Sequence, residues 1–157
     1  MDTFDIIRAL CQQTPKAYAI IRGAIVNGSM LAYEFGQGTI IVVEAFGLPV
    51  TGCGLGIHAM HIHEGGNCSG SADEPFADTG GHYSTNSCPH PYHTGDLPPL
   101  FSNDGLAWMA VYIDKFTPED IVGRTIVIHA GVGDFTSQPS GNAGAIIACG
   151  AIRELYQ

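Results

Sequence analysis

Between His61 and Asp96 the chain carries five of its seven histidines and an aspartate, spread over a run too irregular for any single regular element. His61 and His63 are two apart, so on a strand both imidazoles leave the same face. His82, His90, His93 and Asp96 follow in a segment rich in Gly, Pro and Ser. Such a segment has little of its own to order it, and metal coordination is an economical way to fix it. A lone histidine is commonly a core or surface residue, and a His-x-His pair alone is weak evidence for a metal. Six ligand-type side chains in one stretch are strong evidence. Residues 65–100 read as one loop, which is too long to be an idle connection in a compact domain.

The flanking sequence reads as strands. Lys16–Ile25, Ser29–Phe35 and Thr39–Phe46 form a meander, with Gly36-Gln37-Gly38 as one turn and Gly47-Leu48-Pro49 as a break. Gly56–Glu64 is a fourth strand. His58 lies three residues before His61 and so faces the other way, as a structural histidine rather than a ligand. Leu106–Ile113, Arg124–Ala130 and Ala143–Ile152 complete the set, with a second loop over 131–141. Phe116–Asp120 is a turn or a single helical turn. At the N-terminus, Phe4, Ile7 and Leu10 recur at helical spacing, Asp2 or Thr3 can cap, and Pro15 ends the element. The expected organisation is a helical appendage over 1–15 and one all-β domain over 16–157, without repeats or internal boundaries.

A net charge of −9, with only six Lys and Arg, argues against nucleic acid as a partner. No apolar run reaches the ~18–20 residues that span a bilayer, so no membrane partner is expected. The acidic start, Met1-Asp2-Thr3-Phe4-Asp5, lacks the features of a signal peptide, which gives a cytoplasmic expectation unless a leader has been removed. Cys11, Cys53, Cys68, Cys88 and Cys149 are five, so at least one thiol stays free if disulfides form, and the cytoplasmic default is reduced cysteine.

Five motifs in order give a more specific reading. They are His61-Ile62-His63-Glu64-Gly65, Gly80-Gly81-His82, His93-Thr94-Gly95-Asp96-Leu97-Pro98, Gly123 to His129, and Gly141-Asn142-Ala143-Gly144 with Ala148-Cys149-Gly150. Over roughly residues 16–153 the chain resembles the copper/zinc superoxide dismutases. The resemblance implies an eight-stranded Greek-key β-barrel or flattened sandwich, with a long metal-binding loop added to it. It places copper on His61, His63, His82 and His129, and zinc on His82, His90, His93 and Asp96. His82 becomes the shared, catalytic ligand that carries a proton to the departing peroxide. It also implies a Cys68–Cys149 disulfide, superoxide as substrate, an antioxidant role, and a chain that could form a homodimer. A second disulfide between Cys53 and Cys88 stays open, with Cys11 left over.

The sequence departs from that family in three places. The family carries an arginine two residues after Gly144 that docks superoxide beside copper; here that residue is Ile146. The loop 131–141 holds no Lys or Arg, whereas the family steers its anion with charges there. The family's aspartate that braces one copper and one zinc ligand is replaced by Gly133, with Asp134 next to it. Three functions therefore compete: a dismutase of reduced rate, a dismutase-like copper/zinc-binding protein with little or no turnover, and a structural domain that holds only zinc.

Overall fold

The computed structural model describes residues 2–156. Met1 and Gln157, which close the two expected segments, lie outside the described residues. Strands dominate: β1 (Ala17–Gly23), β2 (Asn27–Phe35), β3 (Gly38–Phe46), β4 (Leu55–His58), β5 (Met60–His63), β6 (Leu100–Asn103), β7 (Ala107–Ile113), β8 (Thr125–His129), β9 (Ile146–Ala151) and β10 (Arg153–Glu154). The main sheet is ordered β5-β8-β9-β1-β2-β3-β7, with β10 also on β1, and β4 pairs with β6 in a second small sheet. All pairings are antiparallel. After the β1–β2–β3 meander the chain crosses to the far edge, returns to β7 beside β3, and crosses again to insert β8 and β9 between β5 and β1. This is the expected Greek-key connectivity in a curled sheet.

The small sheet draws the two edges together. β6 turns into β7 through Asp104-Gly105, both at positive φ (48° and 81°), and Asn103 and Leu106 exchange backbone hydrogen bonds across that turn. An Asp-Gly pair is suited to such a two-residue hairpin. β4 runs into β5 at Ala59, which leaves the small sheet to bond with the β8 end: His129 N–H donates to Ala59 C=O at 2.9 Å and Ala59 N–H to Gly131 C=O at 2.8 Å.

Three sequence expectations shift. The strand expected over 56–64 divides at Ala59, because its halves pair with different partners. A strand that the sequence reading did not assign, β6, begins at the last residue of the expected loop; its Leu100 and Ser102 are buried and its Phe101 and Asn103 exposed. Its four residues follow Pro98-Pro99, so neither length nor context marked it as a strand. The last strand begins at Ile146 rather than Ala143, since Gly141, Asn142 and Gly144 all take positive φ.

Ile21, Met30, Ile41, Met60, Ile62, Leu100, Ile126 and Ile128 are fully buried in the curl of the sheet. α1 (Thr3–Gln12) packs on the outer face, where Ala9 meets Tyr33 and Ile40, flanked by Ile6 and Leu10. Asp2 caps it by accepting the Asp5 N–H. Phe4 and Ile7, expected on the packed face, are 74% and 52% exposed instead. α2 (Pro118–Ile121) is a single turn with a Thr117–Asp120 capping box.

Candidate metal centre

β5 supplies His61 and His63, and β8 pairs along one of its edges and ends at His129. The other edge of β5 is covered by the long loop itself. Glu64 N–H donates to Gly81 C=O, Tyr83 N–H to Ile62 C=O, and Ile62 N–H to Gly95 C=O, at 2.8–2.9 Å. The loop thus lies twice along β5, placing His82 opposite His63 and Asp96 opposite His61. Gly95 is required there, since a Cβ would run into the Ile62 carbonyl. Backbone pairing along β5, which the sequence did not suggest, therefore orders the segment together with the expected Cys68–Cys149 disulfide.

One ring nitrogen each from His61, His63, His82 and His129 lies within 4.8 Å of the other three. His63 Nδ1–H donates to Gly80 C=O at 2.8 Å and His129 Nδ1–H to Gly144 C=O at 3.0 Å. Each bond fixes a tautomer that leaves Nε2 a bare lone pair. Gly80 presents its carbonyl at φ 67°, ψ −154°, a conformation essentially reserved to glycine. Among the described residues, His61 Nδ1, His63 Nε2, His82 Nε2 and His129 Nε2 are buried with no hydrogen-bond partner, and His93 Nδ1 has only the Asp96 carboxylate beside it. Four uncompensated buried imidazole nitrogens in one spot are costly unless a cation satisfies them.

On the other side of His82, the Asp96 carboxylate faces three Nδ1 atoms. His82 is 2.7 Å away, His90 3.1 Å and His93 3.2 Å. His61, His82, His90 and Asp96 form a second compact donor group, which His93, expected as a ligand, approaches only through Asp96. Six of the seven expected ligands fall in these two groups, His93 stands beside Asp96, and His82 belongs to both groups. The residues fit a four-imidazole site suited to copper and a three-imidazole, one-carboxylate site suited to zinc.

Electrostatics favour that reading. Burial, with His82 and His129 nearby, pushes His61 down to about 2; burial and His82 push His63 down to about 3. Burial lowers His129 as well. These rings are held neutral, the form that binds metal. Burial alone would raise Asp96, but the hydrogen bond and charge of His82, the charge of His90 and the His93 N–H together hold it well below the usual carboxylate range.

The centre opens to solvent through a depression of about 410 Å³ lined by His63, Glu64, His82, His129, Pro139 and Ser140 among others, and no Lys or Arg lines it. Ile146 stands opposite His129 in the β8–β9 ladder. It lines a neighbouring cavity of about 290 Å³, with Asp73, Glu74 and Phe76. Gly80 borders both.

His58 is buried, with Nδ1 3.1 Å from His129 C=O and Nε2 2.9 Å from Pro49 C=O, which ties β4 to the end of β8. The pairing of Cys53 with Cys88 does not form: both are exposed free thiols, as is Cys11. Each is engaged in its own turn, Cys53 N–H on Thr51 Oγ1 and Cys88 N–H on Asn86 Oδ1. The Asp134 carboxylate does not take the bracing role lost at Gly133. It accepts from the N–H and hydroxyl groups of Thr136 and Ser137, which hold it down to about 2. The sequence reading also missed the Gly80 and Gly144 carbonyls and the stacking of the Arg124 guanidinium on Tyr83 at 3.6 Å. Backbone acceptors carry no residue signature, although the Gly80-Gly81 pair before His82 was a cue.

Residues 27–152 match the family model described as copper/zinc superoxide dismutase. An extracellular superoxide dismutase (Cu-Zn) of Oryctolagus cuniculus is 32% identical over 91% of this chain and 61% of its own length. Superoxide dismutase (Cu-Zn) 4 of Dictyostelium discoideum is 30% identical over 89% of this chain and 99% of its own. A superoxide dismutase (Cu-Zn) of Deinococcus radiodurans is 30% identical over 93% and 87%. The chain thus spans less than two thirds of the rabbit protein and nearly all of the Dictyostelium one. Among the described residues no helix is long and apolar enough to cross a membrane.

Proposed function

The chain belongs to the copper/zinc superoxide dismutase family, and on that premise we propose that it disproportionates superoxide at a centre in which His82 serves both metals. Two superoxide anions and two protons become dioxygen and hydrogen peroxide; one anion is oxidised and the other reduced. Copper supplies the one-electron couple and zinc a redox-silent positive charge. His61 through Nδ1, with His63, His82 and His129 through Nε2, would hold the copper. His82 Nδ1, His90, His93 and Asp96 would hold the zinc. His82 borders the depression, and its Nε2 is the atom at which a proton would be held and handed to the reduced dioxygen. The observation that carries this reading is the set of unpartnered buried nitrogens: the four of the copper group lack any protein partner, and burial keeps the His61, His63 and His129 rings neutral.

The rate should be low for the family. Glu64 borders the opening, no cation lines it, and Asp73 and Glu74 border the cavity next door. A negative rim opposes the approach of an anion. The same observation favours a second reading, a copper/zinc-binding protein with little turnover. Following superoxide decay optically, with protein reconstituted with one copper and one zinc per chain, separates the two. Decay that scales with loaded protein supports a dismutase. Decay no faster than with the metal-free chain leaves the metal-binding reading.

A further inference from the structure

His90 sits between two prolines, in Cys88-Pro89-His90-Pro91-Tyr92. Neither proline has an N–H, and no strand borders this stretch, so local structure offers the His90 backbone little. Its partners come from the loop between β8 and β9. The Gln138 side chain lies along the His90 main chain: Nε2 donates to His90 C=O at 2.9 Å, and Oε1 accepts the His90 N–H at 3.0 Å. A third bond runs from His90 Nε2–H to Asp134 C=O at 3.1 Å. Asp134 is itself fixed, by Thr136 and Ser137 on its carboxylate and by its N–H on Gly141 C=O.

We propose that Gln138 and the Asp134 carbonyl position His90 for the second metal, in place of a bracing carboxylate. The proposal rests on the two-metal reading above. A carbonyl can only accept, so Asp134 takes the His90 Nε2–H and leaves Nδ1, 3.1 Å from the Asp96 carboxylate, as the ring atom that would bind the metal beside Asp96. Gln138 fixes where the Cα of His90 stands, and Asp134 fixes how the ring turns. Both are main-chain-directed contacts, so they leave little trace in a motif. Gln138 touches no metal donor atom and is a positioning residue. Gly141 belongs to the same device: a Cβ there would collide with the His90 ring and the Asp134 carbonyl.

The test uses the full chain, loaded first with one equivalent of copper, then titrated with Co(II) as an optical probe of the second site and with zinc against a chelator. Gln138→Met keeps the side chain's length and removes both bonds. It should weaken zinc and Co(II) binding about tenfold, the scale for lost outer-shell partners. It should also shift the visible Co(II) band, while copper affinity changes less than twofold. Gln138→Glu keeps the acceptor, loses the donor and should fall between, and it decides the matter should the Met variant fail to fold. An unchanged Co(II) band and affinity would overturn the proposal, as would equal losses at both sites. Wild-type protein that takes no Co(II) beside copper would overturn the two-metal reading, and the proposal with it.

Discussion

The Cys68–Cys149 disulfide should carry a large share of the stability of the metal-free chain. It joins residues 81 apart in sequence, anchoring the metal loop to β9. In the chain-entropy model a closed loop of that size is worth up to ~4.5 kcal/mol, and strain or residual structure in the unfolded chain lowers the realised value to about 3. Cys149 is only 2% exposed and lies in register with Val127 on one side and Arg22 on the other. Replacing both cysteines by alanine removes the cross-link and two small sulfur groups, with little new polar burial. For a domain of this size 1 kcal/mol corresponds to ~2–4 °C, so the double variant should melt roughly 10 °C lower. The comparison needs metal-free protein, since bound ions would stabilise both forms. It also needs Cys11, Cys53 and Cys88 alkylated beforehand, because all three are exposed and could exchange. Urea unfolding followed by tryptophan fluorescence gives the free energies, and peptide mapping gives the linkage. A difference under 1 kcal/mol, or alkylation of both Cys68 and Cys149 in native unreduced protein, would show that the cross-link does not hold the metal-free fold.

Two further outcomes follow from the opening and the buried rings. Ile146→Arg adds a guanidinium next to His129 at an acidic rim, and should raise the superoxide rate about tenfold and make it fall with added salt. A variant no faster at equal copper content would show that Ile146 does not limit approach. The metal-free chain should lose stability as pH falls from about 6.5 toward 5, because the unfolded chain protonates histidines of ordinary pKa there. His61 at about 2 and His63 at about 3 stay neutral in the folded state over that range, so protons favour unfolding. The depressed Asp96 works in the same direction, its contribution being lost only as pH falls below the ordinary carboxylate value. A urea midpoint that stays flat between pH 7 and 5 would contradict this.

Residue identity made the donor set legible, and side-chain alternation made most of the sheet legible. His61 and His63 share a face because a strand alternates, and that needs no tertiary information. What stayed hidden depended on partners distant in sequence. The division at Ala59 reflects β6 and β8 competing for one strand. β6 itself is stable because its Leu100 and Ser102 are buried against the rest of the fold, not because four residues after two prolines favour a strand. The helix face was misread because Ala9, a small residue, sits closest to Tyr33 and Ile40, while the larger Phe4 and Ile7 turn outward. The contacts that orient the ligands are carbonyls of Gly80, Gly144 and Asp134, and any residue could have supplied those atoms.

If one imidazole serves two ions, metal titration of His82→Ala must register the loss at both. Wild-type chain should take up one copper and one zinc at equilibrium. His82→Ala removes Nε2 from the four-imidazole group and Nδ1 from the Asp96 group, so both affinities should fall by at least tenfold, a ligand being worth no less than an outer-shell partner. Asp96→Ala in the same titration should weaken zinc and spare copper. Unchanged affinity for either ion in the His82→Ala chain would contradict the account, because that ion would then be held without the ring that belongs to both groups.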